Sequence, residues 1–210
     1  MAKENCHLCE MRPPRRHCPA LEREICAPCC GEGREETISC PLECEYLREA
    51  RRHEKQRELD GRQMPHPEIE LTDKVMQQNQ PLAIVTGRLL LVSALEVQGT
   101  VDADMGEALD ALVRTLKTAD SGLVYETRPS NGIAAAVMAR FQDEMAKFRE
   151  HIAEQSGSHS VRDKDLLAVL VFWQRMEWQH NNGRRRSRSF IESLYGVLPA
   201  PAEDGNLVQG

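Results

Sequence analysis

The chain has 210 residues, which is enough for one ordinary domain or for two unequal ones. Aromatic residues make up only 4%, which argues against a large aromatic cleft or a base-stacking surface, and a formal charge of −6 gives no global attraction to nucleic acid. The longest apolar run, residues 166–173, is too short to span a membrane, and no apolar secretory signal is visible near the N-terminus. We therefore expect a cytoplasmic protein with no membrane partner.

The N-terminal part of the chain holds all of the cysteines. The eight thiols lie within the first 44 residues, at Cys6, Cys9, Cys18, Cys26, Cys29, Cys30, Cys40 and Cys44. In a reducing compartment, clustered cysteines hold metal more often than they form disulfides. Two C-x2-C pairs followed by a C-x3-C pair are specific for zinc, because one tight C-x2-C turn supplies two of the four ligands of a tetrahedral site.

Eight cysteines divide into two zinc sites of four ligands each. The predicted arrangement is interleaved, with Cys6, Cys9, Cys26 and Cys29 in the first site and Cys18, Cys30, Cys40 and Cys44 in the second. Few large aliphatic side chains lie among these cysteines, so the segment has little driving force to fold without metal. The expected cofactor is therefore two Zn²⁺ ions, with nearby arginines such as Arg12 and Arg16 neutralising the thiolate charge.

Other uses of the cysteines stay open at this point. One zinc with spare thiols, an iron–sulfur cluster, and redox disulfides with Cys29 and Cys30 as the favoured pair are the alternatives. His7 and His17 neighbour ligand positions, so either histidine could replace one cysteine, although such histidines more often lie outside the ligand set.

The order and spacing of the cysteines over residues 6–44 resemble the two-zinc cross-brace fingers of the B-box, MYND and HIT type. Those families usually place histidines among the late ligands, whereas the last pair here is Cys40 and Cys44. The resemblance implies a module that binds a protein partner.

A charged helix is predicted to follow the last cysteine pair. Pro41 suits the first helical position, which would put Cys44 in the first turn, and strong helix formers continue to about Leu59. The run has few apolar residues, so we expect either a solvated stalk or a surface for a partner.

The sequence predicts a small Cys-rich zinc-finger module with a C-terminal helix, followed by an all-α helical-bundle domain. Two prolines and a glycine at residues 61–67 favour a boundary there. The predicted division is a zinc module with its charged helix over residues 1–62, a linker over 63–70, a helical domain over 71–198 and a disordered tail over 199–210.

Six helices are predicted in the second domain. They start near Thr72-Asp73, Pro81, Asp102 or Asp104, Ser130, Ser160 and Phe190, and Asn181 to Gly183 form a stop after the fifth. A strand pair over residues 82–97 is an alternative for the second helix because that run is very apolar and partly β-branched. Residues 122–126 could be extended.

Two further patterns carry possible chemistry. Glu177 and His180 have the spacing that di-iron bundles use, but no second such pair lies on a bundle helix, so an ordinary polar helix end is preferred. The run Arg184, Arg185, Arg186 and Arg188 has no acid and could bind phosphates, with a solvated basic face as the alternative.

No nucleophile–base pair and no phosphate-binding glycine loop are visible, so an enzyme is not expected. The favoured function is a zinc-finger protein that acts as a non-enzymatic interaction or regulatory adaptor for a protein partner. The alternatives are a regulator that binds nucleic acid through finger arginines and the 184–188 run, and a thiol or zinc redox sensor.

Overall fold

The computed structural model describes residues 5–55, 57, 63–120, 122, 125–156 and 161–198. The described residues form eight helices and one short two-stranded sheet. A small N-terminal unit carries the cysteines, and the rest is helical. The tail predicted to be disordered, residues 199–210, lies outside the described residues.

The cysteine-rich unit consists of a hairpin and two short helices. Strands β1 (Arg16–Cys18) and β2 (Arg23–Ile25) pair antiparallel, with Arg16 opposite Ile25. Helix α1 spans Ala27–Gly33, and a proline in its first turn fits the helix start because that position needs no amide donor. The hairpin and α1 pack around the thiols and two isoleucines.

Helix α2 (Glu45–Arg51) is shorter than predicted. Its predicted start at Pro41 is wrong, because the Cys44 amide donates to the Pro41 carbonyl in a turn (3.1 Å) and Cys44 caps the helix in an extended conformation. Its predicted continuation towards Leu59 is also wrong, since the helix ends at Arg51. Only Leu47 of α2 is buried, so little packing is available to sustain further turns.

The six helices predicted for the second domain are present. They are α3 (Asp73–Gln78), α4 (Gln80–Glu96), α5 (Asp102–Asp120), α6 (Gly132–Ser156), α7 (Asp163–His180) and α8 (Ser189–Val197). The strand pair considered for residues 82–97 is wrong. Helix α4 buries three successive residues, Leu89, Leu90 and Leu91, so it is covered on several sides and lacks the one-sided pattern of a surface helix.

The helix starts are set by local hydrogen bonds. The Thr72 hydroxyl accepts from the Val75 amide (3.3 Å), and the Asp104 carboxylate accepts from the Val101 amide (2.9 Å). Helix α6 starts near Ser130 as predicted, and the Ser130 hydroxyl donates to Glu107 on α5. The capping side chain is that of Asn131, which accepts from the second amide of the helix (2.8 Å). The start predicted for α7 at Ser160 lies outside the described residues.

Helix α5 packs against both α6 and α7, and α4 crosses α6, α7 and α8. Gly87 on α4 permits a close approach to α7, because a Cβ atom there would lie 2.4 Å from Cζ2 of Trp173. The Trp173 indole also donates to the Ala83 carbonyl (3.1 Å), so this tryptophan is a core residue. None of the described helices combines the length and apolarity that a membrane span requires.

Candidate metal centre

Four of the predicted zinc ligands converge. The sulfur atoms of Cys6, Cys9, Cys26 and Cys29 all lie within 4.8 Å of one another. Cys6 and Cys26 are buried, whereas Cys9 and Cys29 are partly exposed. Four thiolates at this separation are the donor set that tetrahedral Zn²⁺ prefers, so this site could bind a zinc ion.

Two local structures position these thiols. The turn that carries Cys6 and Cys9 is closed by the Glu10 amide, which donates to the Cys6 carbonyl (2.8 Å), and Glu10 has a left-handed φ of +54°. Cys26 is the N-cap of α1, and Cys29 lies one turn further along that helix. The Cys26 amide donates to the Cys6 sulfur (3.1 Å), which joins the two structures.

The four thiols have divergent proton affinities. Burial raises the pKa of Cys6, but hydrogen bonds from the amides of Cys26, Cys9 and Leu8 outweigh it and bring that pKa to about 6. The hydrogen bond with the Cys26 thiol, together with burial, raises the pKa of Cys29 to about 12. Crowded thiols cannot all ionise together without a compensating charge, and a divalent cation would provide it.

One arginine already lies against this cluster. Hydrogen bonding to Cys26 and the charges of Cys26, Cys9 and Cys29 raise the pKa of Arg12. The predicted role of Arg12 as a neutralising neighbour therefore agrees with its position. His7 and His17 do not belong to the four-residue cluster, and the His17 ring contacts Glu24 on the exposed face of the hairpin (3.1 Å).

The second predicted set does not converge in the same way. Among the residues described, only the first set brings four ligand atoms within mutual reach. Cys18, Cys30 and Cys44 are buried and Cys40 is half-buried. Burial raises the pKa of Cys40, and the charges of Cys44 and Cys18 raise it further. An Arg16 guanidinium nitrogen lies 3.3 Å from the Cys30 sulfur.

Sequence reasoning missed Glu35, which connects the cysteine-rich unit to the helical domain. Its side chain is only 1% exposed. The carboxylate accepts hydrogen bonds from Arg51 (2.6 Å), from the Asn182 amide group (3.0 Å) and from the Arg188 backbone amide (3.0 Å). Its backbone is left-handed, with φ +53°. Glu35 stands beside Arg34 and Glu36 in a charged run, so nothing in the sequence distinguishes it from a surface glutamate.

The arginine run lies at the same junction. The Arg184 guanidinium donates to the carbonyls of Arg34 (2.5 Å) and Gly31 (3.4 Å), and the Arg186 guanidinium donates to the Ser39 hydroxyl. Arg185 is exposed. The run thus joins the two units, while the predicted contact of its arginines with nucleic acid stays a prediction.

Two buried carboxylates lie behind this junction. Asp102 accepts from the Ser187 hydroxyl (2.6 Å) and from the amides of Phe190 (3.0 Å) and Ile191 (3.2 Å), so it caps α8. Burial raises the pKa of Glu177 to about 7, opposed by a hydrogen bond from Asn181 (2.7 Å). Glu177 and His180 belong to no group of converging metal-ligand atoms among the described residues.

Comparisons with protein-family models, with curated proteins and with solved structures find no match to this chain. The resemblance to B-box, MYND and HIT fingers therefore has no support beyond the spacing of the cysteines and the convergence of the first four.

Proposed function

We propose that this protein is a zinc-binding, non-enzymatic adaptor whose cysteine-rich unit binds a protein partner. The observation that carries the proposal is the convergence of Cys6, Cys9, Cys26 and Cys29 within 4.8 Å. This all-sulfur donor set suits Zn²⁺, and it has no carboxylate or water-like position of the kind that catalytic zinc sites keep open. The metal would therefore be structural.

A second zinc belongs to the proposal. Cys18, Cys30 and Cys44 are buried and Cys40 is half-buried in the same unit, and Arg16 approaches the sulfur of Cys30, which supports a shared site for these four cysteines. The hydroxyl of Ser39, next to Cys40, accepts from the Arg186 guanidinium, which links this set to the junction with the helical domain.

The junction supports the role of an adaptor. Glu35 and Arg184 fix the inner side of the cysteine-rich unit to the helical domain, whereas the hairpin residues His17 and Glu24 lie exposed on its outer side. A partner would thus meet a surface that is held in a defined orientation. The nucleic-acid alternative has less support, since Arg184 and Arg186 already donate to the cysteine-rich unit.

Zinc analysis and partner capture test the proposal together. Protein purified without added metal should contain about two zincs per chain, and about one if only the first set binds. Extract from the native host is then passed over wild-type protein and over a Cys6→Ser/Cys26→Ser variant, with nuclease treatment in parallel.

The adaptor proposal requires a protein that is retained by the wild type, survives nuclease and is lost with the variant. Release of all bound material by nuclease would favour the nucleic-acid alternative instead. Protein without zinc would contradict the metal assignment itself.

A further inference from the structure

A basic cleft opens beside the junction of the two units. It lies between the segment that follows α2 and the end of α7, and its volume is about 350 Å³, within the range of about 300–1,000 Å³ typical of small-ligand sites. Among the described residues, its lining includes Arg51, Lys55, Arg57 and Arg184 together with one acid, Glu54. The zinc proposal does not use this cleft.

The charges of these side chains are not all compensated. Arg51 pairs with Glu35 and Glu192, so it contributes little net charge. Arg184 donates only to uncharged backbone carbonyls, which fix its guanidinium without neutralising it. No ion pair joins Arg184, Lys55 or Arg57 to a carboxylate of the described part of the chain.

The cleft also supplies neutral hydrogen-bond donors. The side chains of Gln179 and Ser189 line it beside the cations. Glu54, the one acid among the described lining residues, accepts a hydrogen bond from the Asn182 amide group at 3.4 Å. Within the described part of the chain, an anion that entered would meet three cations that form no ion pair and one carboxylate that already accepts a hydrogen bond.

From this geometry we infer that the cleft binds a phosphate-type oxyanion, either as the free ion or as the phosphate group of a small molecule. Guanidinium groups match the oxygen spacing of phosphate, and charge-assisted hydrogen bonds to them are stronger than neutral ones. The fixed Arg184 forms the floor, and the exposed Lys55 and Arg57 form the mouth. The site would depend on both units, because each contributes cations.

A tryptophan provides a local signal for binding. The Arg57 guanidinium carbon lies 5.6 Å from the centre of the Trp178 ring, in a cation–π contact. An oxyanion in the cleft would draw this guanidinium towards itself and away from the ring. Trp178 is one of only two tryptophans, and the other, Trp173, is buried in the helical core.

The test is a titration of the full-length, zinc-loaded protein with sodium phosphate, read by tryptophan fluorescence and by calorimetry. Sodium chloride at matched ionic strength corrects for screening. We expect saturable binding with a Kd below about 1 mM, and at least a tenfold weaker Kd in a Lys55→Ala/Arg57→Ala variant. Lys74→Ala, at an exposed lysine that is not among the residues lining the cleft, is the matched control and should bind as the wild type does.

Two further arms identify the source of the phosphate group. A nucleoside monophosphate that binds at least as tightly as the free ion would assign the site to phosphorylated small molecules, and weaker binding would assign it to the ion. Absence of saturation with phosphate, equal affinity in the double variant, or binding of a single-stranded oligonucleotide without binding of phosphate would each overturn the inference. Unchanged zinc content in all variants keeps these outcomes separate from the proposed function.

Discussion

The two units of this protein bury different kinds of side chain. The inner cluster of the cysteine-rich unit consists of four cysteines, Cys6, Cys18, Cys26 and Cys30, with Ile25 and Ile38. The buried core of the helical domain consists mainly of apolar side chains from five helices, α4 to α8, with Phe141, Leu90 and Leu170 fully enclosed. One unit has hydrophobic burial to stabilise it, and the other has thiols that repel each other once they ionise.

This difference predicts two separate dependences of stability. The helical domain should follow the rules of ordinary cores, in which lost volume and lost apolar contact determine the cost of a mutation. The stability of the cysteine-rich unit should depend on bound metal. Among the described contacts, the junction around Glu35 is the other large contribution to its stability. Perturbations that act on one unit and spare the other therefore test the comparison.

Metal removal should have the largest effect. A structural zinc in a small finger contributes about 10–16 kcal/mol to folding at neutral pH, which exceeds the whole stability of a typical domain. Chelation, or a Cys6→Ser/Cys26→Ser exchange, should unfold the cysteine-rich unit. Limited proteolysis should then cut within residues 5–55, while the helical signal in circular dichroism stays close to that of the native protein.

A Glu22→Gln variant is the control, since this glutamate is exposed on the hairpin and its exchange leaves all eight thiols in place. Retention of zinc and protease resistance in the control shows that the loss follows the ligands. Resistance of the cysteine-rich unit after complete metal removal would contradict the comparison.

Truncation within the helical core should have the next largest effect. Phe141 is 1% exposed, and Phe141→Ala removes a full aromatic ring from a closed core, which costs about 3–5 kcal/mol. Urea unfolding followed by circular dichroism measures the change. Zinc content should stay at the wild-type value, because no ligand lies in this core. Loss of bound zinc together with the helical circular dichroism signal would show that the two units unfold as one.

Sequence patterns alone predict two parts of the molecule, the helices of the second domain and the first four cysteine ligands. The helices of the second domain were found because apolar residues such as Val137 and Phe141 recur on one stripe, and the first four ligands because a C-x2-C turn constrains its own geometry. The length of α2 was overestimated, because propensity favours helix through charged residues that have nothing to pack against. Glu35 could not be predicted, since its burial depends on Arg188 and Asn182, which lie about 150 residues further along the chain.

Loss of the Glu35 carboxylate should uncouple the two units. Glu35→Gln leaves Arg51 and the Arg188 amide without their buried anion, and breaking such a pair costs about 3 kcal/mol. Proteolysis near residues 34–40 should accelerate, and backbone amide signals around residue 188 should shift in NMR spectra. The control is Glu32→Gln, which removes an exposed carboxylate two residues before Arg34. It should change neither the rate of proteolysis nor the amide signals. Equal behaviour of the two variants would show that the junction contributes no stability.

The smallest expected effect is a pH dependence that belongs to the helical domain. Burial raises the pKa of Glu177 from 4.5 to about 7, so the folded state holds this proton more tightly than the unfolded state does. As the pH rises from 4.5 towards 7, the unfolded state loses the proton first, and the stability that depends on the neutral carboxyl is lost. Between pH 5 and pH 8 the free energy of unfolding should fall by about 2 kcal/mol from this group.

Glu177→Gln isolates this contribution, because an amide can still accept the hydrogen bond from Asn181 and still fits beside Gly106. Urea titrations at four pH values should give a flatter profile for the variant, with the gain in stability confined to the high-pH end. Burial raises the pKa of Asp102 as well, so a fall in the same direction should persist. An unchanged slope in the variant would assign the pH dependence to other groups, and a slope of opposite sign would show that the Glu177 carboxylate is stabilised as an anion. The comparison holds that the helical domain loses stability as the pH rises, whereas the cysteine-rich unit gains metal affinity as its thiols ionise. Either result would contradict the first half of this comparison.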